Sequence, residues 1–230
     1  MVDLHTHILP SFDDGAATVE EAATLIGLEA EQGVTDIVLT PHFYLQEISV
    51  LDFLENRNKS FNHLKNYLAE NNLCAGVNFK LGAEVRFDPN IVNEDIYALC
   101  IEGTSYLLLE PLNFFPFKFE QTLDTLLAQG ITPILAHIER FSYLIKDKAL
   151  LNRLAEHGVL FQCNAAALTD KSTAKTVKKL LRKGFVHVIA SDTHNLETRP
   201  PKLSEAYNKV SKYSGILKNN ADRIFKDKLV

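Results

Sequence analysis

The chain has 230 residues, 46% of them hydrophobic, and a formal charge of −5 from 24 Lys and Arg against 29 Asp and Glu. At that length roughly 70–75% of the unfolded surface is buried on folding, and no linker or composition shift divides the sequence, so a single domain over residues 1–230 is expected. No basic stripe is large enough to neutralise many phosphates, which argues against a nucleic-acid partner. No apolar run approaches the ~20 residues of a membrane span and no leader-like segment follows Met1, so a cytoplasmic protein without membrane insertion is expected.

Apolar runs rich in β-branched residues alternate along the chain with amphipathic stretches, the pattern of a parallel α/β fold. Strands are expected at 2–5, 36–40, 79–85, 106–110, 132–136, 160–164 and 186–191, seven in all. Helices are expected at 18–32, 50–70, 90–101, 119–129, 147–157 and 170–183, with one or two more amphipathic helices over 202–230 covering the sheet. Four of these are followed by a glycine, Gly33, Gly130, Gly158 or Gly184, the residue that most easily takes the left-handed stop of a helix. VKKLLRKG and KDKLV read as solvated helix faces. Cys74, Cys100 and Cys163 are an odd, unpaired set, suited to a reducing compartment and to core packing.

Six of the seven expected strands end in His, Asp or Glu: His5 and His7, His42, Glu84, Glu110, His137, then Asp192 and His194. In a parallel barrel every strand opens on the same face, so residues far apart in sequence converge there, and Asp14 in the first loop joins them. Residues i and i+2 on an extended strand share a side, so His5 with His7, and Asp192 with His194, face one centre. A single HxH is weak evidence, but nine imidazoles and carboxylates converging on one mouth exceed the needs of one ion and imply two or three. Without thiolates the set suits manganese, iron or zinc. His63, His157 and His187 fit a helix surface, a helix C-terminus and a mid-strand position, and stay outside it.

The motifs HTH at 5–7, DDGA at 13–16, TPHF at 40–43, GAE at 82–84, LLE at 108–110, AHIER at 136–140 and SDTHN at 191–195 together resemble the polymerase and histidinol phosphatase (PHP) superfamily. FDDGA, AHIER and SDTHNLETRPP resemble, within it, the bacterial manganese-dependent protein-tyrosine phosphatases encoded with capsule and exopolysaccharide genes. The resemblance runs from residue 3 to about residue 201, with Ile138 standing where family members usually carry a proline. It implies a distorted (β/α)7 barrel and a trinuclear Mn²⁺ site. His5, His7, Glu84 and Asp192 would hold one ion, Glu84 would bridge to a second with Glu110 and His137, and Asp14, His42 and His194 would surround a third. It further implies phosphate-binding arginines at Arg140 and Arg199, placed by sequence near the mouth, where a guanidinium grips phosphate bidentately.

The implied substrate is a phosphotyrosine protein, a bacterial tyrosine kinase controlling polysaccharide export, hydrolysed by a metal-bound hydroxide with no protein nucleophile. The alternatives are a small-molecule phosphoesterase such as a histidinol-phosphate phosphatase, and a non-catalytic metal-holding binding protein. Cysteine-dependent phosphatase chemistry is excluded, because C-x5-R requires Arg six residues after the cysteine and the sequence has Lys80, Tyr106 and Thr169 there. Phe114, Phe115, Phe117 and Phe119 of NFFPFKFE are expected mostly to pack the barrel rim, with walling the site against a phenyl ring as the alternative.

Overall fold

Strand β1 (Val2–Thr6) has all five residues buried, as a parallel strand covered on both faces must. The computed structural model describes residues 1–230 and places eight more strands after it: β2 (Asp36–Leu39), β3 (His42–Phe43), β4 (Asn78–Leu81), β5 (Glu84–Arg86), β6 (Tyr106–Glu110), β7 (Thr132–Leu135), β8 (Leu160–Asn164) and β9 (Val188–Ala190). Every ladder is parallel, in the orders β1-β2-β4 and β3-β5-β6-β7-β8-β9. The sheet curls until its ends meet: the Asp192 N–H donates to the His5 carbonyl (2.9 Å) and the His7 N–H to the Thr193 carbonyl (2.8 Å).

The strand expected at 79–85 is therefore two strands, and the one at 36–40 stops at Leu39, with β3 continuing its line. Both breaks fall at the same level. Pro41 has no N–H to give the ladder, while a side chain on Gly82 would sit 3.3 Å from both Thr40 and Val38. The two kinked strands stay in step, Gly82 donating to Leu39 (2.9 Å) and Glu84 to Pro41 (3.0 Å), and His42 and Glu84 become register partners. A register shift between Asp3 and Thr6 in β1 likewise lies beside the HTH motif, and such irregularities re-aim side chains.

The helices are α1 (Val19–Glu31), α2 (Val50–Glu70), α3 (Phe119–Ala128), α4 (Ser142–Lys146), α5 (Lys148–Glu156), α6 (Ala165–Thr169), α7 (Ala174–Arg182), α8 (Leu203–Lys209) and α9 (Ser211–Phe225). Gly33, Gly130, Gly158 and Gly184 take φ from +76° to +97° just past α1, α3, α5 and α7. The helix expected at 90–101 is instead two 3₁₀ turns, 91–93 and 96–99. Asp88 accepts the Asn90 N–H (2.7 Å), the kind of local side-chain bond that competes with a continuous helix. Asp170 does the same with the Ser172 N–H (2.7 Å), so α7 starts at Ala174 rather than at 170.

Inside the curl, Val2, Leu4, Val38, Tyr106, Leu108, Ile134, Leu160 and Val188 pack together, and Ala221 and Ile224 of α9 join them from the N-terminal end of the strands. The larger apolar cluster fills the space between strands and helices.

His187 lies just before β9 rather than in mid-strand, and its Nδ1 accepts the Phe161 N–H (3.0 Å). Burial lowers its pKa to about 4, against about 6.5 in an unfolded chain. Its contribution to stability should therefore be complete above about pH 6.5 and decline, by on the order of 3 kcal/mol, as pH falls toward 4. Thermal unfolding followed over that range should show a flatter profile for His187→Gln than for the wild type.

Candidate metal centre

The C-terminal ends of the strands bring all nine expected side chains to one place. His5 sits on β1 and His7 just beyond it, His42 opens β3, Glu84 opens β5, Glu110 ends β6, His137 follows β7, Asp192 and His194 follow β9, and Asp14 lies in the β1–α1 loop. His5, His7, Glu84, His137, Asp192 and His194 are buried, His42 and Glu110 half-buried, and Asp14 exposed.

Glu84 is the hub. Its Oε2 lies 3.3 Å from His5 Nε2, 3.1 Å from His7 Nε2 and 3.0 Å from His42 Nδ1, and its Oε1 lies 2.7 Å from His137 Nε2. Asp14 Oδ1 approaches His42 Nε2 (3.4 Å) and His194 Nε2 (3.3 Å), and Asp192 Oδ1 approaches His5 Nε2 (3.4 Å) and His7 Nε2 (3.6 Å). Ligand atoms lie within 4.8 Å of one another in three overlapping sets: His7, Asp14, His42 and His194; His5, His7 and Glu84; and His42, Glu84 and Glu110. His42 thus stands beside both Asp14 and the Glu84–Glu110 pair, while His137 Nε2 lies 3.9 Å from Glu110.

Divalent cations fit this donor set. His42 Nδ1, Glu84 Oε2, Glu110 Oε2, His137 Nδ1, Asp192 Oδ1 and His194 Nε2 are all buried without a hydrogen-bond partner. Buried polar atoms seldom go unsatisfied, and a concentration of orphans in one cluster indicates an ion. Protons respond to the same field. Burial alone would lower the His7 pKa, yet its bonds to Asp13 and Glu84 raise it to about 10, and Glu84 and Asp192 raise that of His5. His194, buried and facing His7, is pushed down to about 2. Glu84 and Asp192 are held well below the usual carboxylate range by the histidines around them, against the pull of burial.

The backbone is left-handed at two of the candidate ligands, His137 (φ +33°) and Asp192 (φ +55°), conformations that cluster at functional sites because only a well-packed surrounding holds them. The His137 N–H donates to Gln162 Oε1 (2.6 Å), and Ile138, fully buried, opens the 3₁₀ turn 138–140.

Arg140 and Arg199 converge on one atom, Asp192 Oδ2, at 2.7 and 2.8 Å, and Arg199 also reaches Asp14 Oδ2 at 3.5 Å. Asn164 Nδ2 donates to the same Asp192 oxygen (2.5 Å). Asp192 thus has two faces, one oxygen turned to the histidines and the other to the arginines. Both guanidiniums retain solvent-facing donors, Arg140 being exposed and Arg199 half-buried.

Sequence reasoning missed three supporting residues: Asp13, Gln162 and Asn164. Asp13 Oδ2 lies 2.7 Å from His7 Nδ1 and accepts the His42 N–H (3.0 Å), so it orients one ligand through its ring and another through its backbone. Its signal was the doubled acid of DDGA, of which only Asp14 was read as functional. Gln162 Nε2 donates to Asn164 Oδ1 (2.7 Å), so β8, which answers to the one expected strand without an acidic or imidazole terminus, contributes amides. The glycine of the same motif has a separate reason: a Cβ at Gly15 would lie 1.9 Å from the His7 carbonyl oxygen. Partners of this kind typically tune metal affinity 10–100-fold. Asp13→Ala should accordingly weaken Mn²⁺ binding by about 10–100-fold in calorimetric titration while leaving the far-ultraviolet circular dichroism unchanged.

The model of a family described as capsular polysaccharide synthesis, CpsB/CapC, matches residues 1–228. The chain belongs to that family. This CpsB/CapC member is 35% identical over 215 residues to CapC of Staphylococcus aureus, covering 90% of this chain and 82% of that one. It is 29% identical over 253 residues to the tyrosine-protein phosphatase CpsB of Streptococcus pneumoniae, covering all of both. Among solved structures, the one described with YwqE of Bacillus subtilis and CpsB of S. pneumoniae as metal-dependent tyrosine phosphatases shares the fold at TM-score 0.90 and 24% identity, over 100% of this chain and 96% of that one.

Two of the three cysteines of this CpsB/CapC member are shut off from solvent. Cys100 and Cys163 are buried, and burial pushes the Cys100 thiol up to about 12. No helix is long and apolar enough to cross a membrane.

Proposed function

We propose that this chain is a metal-dependent protein-tyrosine phosphatase whose nine converging side chains hold two or three divalent ions, manganese in the first instance and iron or zinc as alternatives. The observation that carries the reading is the cluster of buried, unpartnered donor atoms around Glu84, edged by two arginines, in a member of the CpsB/CapC family. With β2/β3 and β4/β5 each counted as one stave, the sheet has seven staves, which supports a distorted (β/α)7 barrel in a single domain. The substrate is a phosphotyrosine protein, a bacterial tyrosine kinase of a capsule or exopolysaccharide system, met in the cytoplasm.

Divalent ions bound by such a set supply Lewis acidity and lower the pKa of a coordinated water to about 7. The protein supplies the rest. Glu84 and Asp192 stay ionised and fix the histidines around them, and Asp13 holds the His7 ring. Arg140 and Arg199, anchored on Asp192, turn their remaining donors toward the place where charge builds on phosphoryl oxygens. A tyrosine leaving group has a conjugate acid of pKa about 10, so its departure asks little of a general acid.

Purified protein should be stripped with a chelator, re-supplied with Mn²⁺, and assayed on a phosphotyrosine peptide and on histidinol phosphate. The reading requires that the metal restore hydrolysis of the peptide in preference to histidinol phosphate. Preference for histidinol phosphate would make it a small-molecule phosphoesterase on the same centre. Metal uptake without turnover of either would leave a binding protein.

A further inference from the structure

The β6–α3 loop does not pack the rim as expected. Phe119 is buried, but Phe114, Phe115 and Phe117 are 64%, 51% and 78% exposed. Aromatic surface left in water at such density marks a contact site. The loop begins directly after Glu110, and a line of packed rings beneath it leads to the metal centre. The Phe115 ring meets Tyr143 at 5.8 Å, Tyr143 lies 6.2 Å from Phe141, and Phe141 lies 5.7 Å from the ligand His137. The loop is also held in shape. Pro116 fixes its own φ, Lys118 turns left-handed at φ +58° with its ammonium 5.4 Å from the Phe117 ring, and the Phe115 ring packs edge-on against Phe119 at 5.8 Å.

We propose that Phe114, Phe115 and Phe117 are the docking surface for the polypeptide that carries the phosphotyrosine, and that they receive apolar side chains flanking it. The proposal rests on the phosphatase reading and adds a substrate class to it: protein segments with apolar neighbours rather than free aryl phosphates. Adjacency to the metal centre, with the loop leaving β6 directly after Glu110, favours this occupant over a second copy of the chain. So does size, since three phenylalanines at ~150–250 Å² each fall short of the roughly 800 Å² per partner of a stable protein interface.

The test compares the metal-loaded wild type with the triple variant Phe114→Ser, Phe115→Ser, Phe117→Ser on three probes. These are an apolar-flanked phosphotyrosine peptide, p-nitrophenyl phosphate, and the unphosphorylated twin of the peptide, whose binding is read by fluorescence anisotropy. The ratio of peptide kcat/KM to p-nitrophenyl phosphate kcat/KM should fall about tenfold, as expected for loss of an aromatic hot spot, with most of the change in KM. Binding of the unphosphorylated peptide should weaken in parallel. An unchanged ratio together with unchanged anisotropy overturns the proposal, as does a shift in oligomeric state with peptide binding intact, which would assign the surface to a second copy. If the wild type hydrolyses neither phosphate, the phosphatase reading fails, while the anisotropy arm still decides whether the loop docks peptide.

Discussion

Glu84→Gln is expected to lower phosphotyrosine hydrolysis by more than about a hundredfold, beyond the 10–100-fold cost typical of groups that merely support ligands. Four histidines from three different strands approach this one carboxylate between 2.7 and 3.3 Å, more imidazoles than any other carboxylate of the cluster meets. Glutamine preserves the shape, yet it removes the charge and replaces one acceptor oxygen with a donor that faces imidazole nitrogens. Metal content after dialysis should fall with activity. Proton linkage gives a second measure. With His7 near pKa 10 and His5 raised, ions and protons compete for the same nitrogens, so wild-type metal affinity should weaken from about pH 8 to about pH 6. Loss of the Glu84 charge removes part of what raises both histidines, so that pH dependence should become shallower in the variant.

The second large effect is expected at the arginines. Arg199→Ala and Arg140→Ala should each lower kcat/KM by about 10²–10³-fold, the scale of removing a preorganised donor from developing charge. Lysine should rescue poorly, because an ammonium cannot hold Asp192 and present a planar fork to phosphate at once. The readout that separates phosphate binding from simple support of Asp192 is inhibition by inorganic phosphate. A phosphate-gripping role predicts a raised inhibition constant at unchanged metal content. If metal content falls instead and phosphate inhibition of the loaded fraction is normal, the arginines serve only to neutralise Asp192.

The convergence of the nine candidate side chains could be read from sequence because all but Asp14 are tied to a strand end, and hydrophobic periodicity locates strand ends well. His137 was legible as soon as PILA was read as a strand, although the left-handed turn that aims it was not. Asn164 and Gln162 were invisible for the opposite reason: amides are ordinary in any strand, and only the pairing of β8 with β7 on one side and β9 on the other shows that it lies beside His137 and Asp192. The split at Thr40–Pro41 and Gly82–Ala83 was missed because periodicity counts apolar residues and overlooks a missing N–H donor. NFFPFKFE misled in another way. Apolar composition predicts burial on average, and the exceptions are surfaces awaiting a partner.

The closure of the sheet bears on the order in which the molecule is made. His5 and His7 come from the first strand, while Asp192 and His194 come from the last, and the hydrogen bonds between residues 5–7 and 192–193 form the seam. During synthesis from the N-terminus, the opening histidines must wait for nearly the whole chain to emerge before their partners exist. The centre is thus assembled late, from contacts of the greatest sequence separation, the slowest kind to form. On the proposed reading, divalent ions held by residues from both sides of the seam would act as a clasp between the two ends of the chain, so metal supply should govern how long a newly made molecule stays closed as well as how fast it turns over.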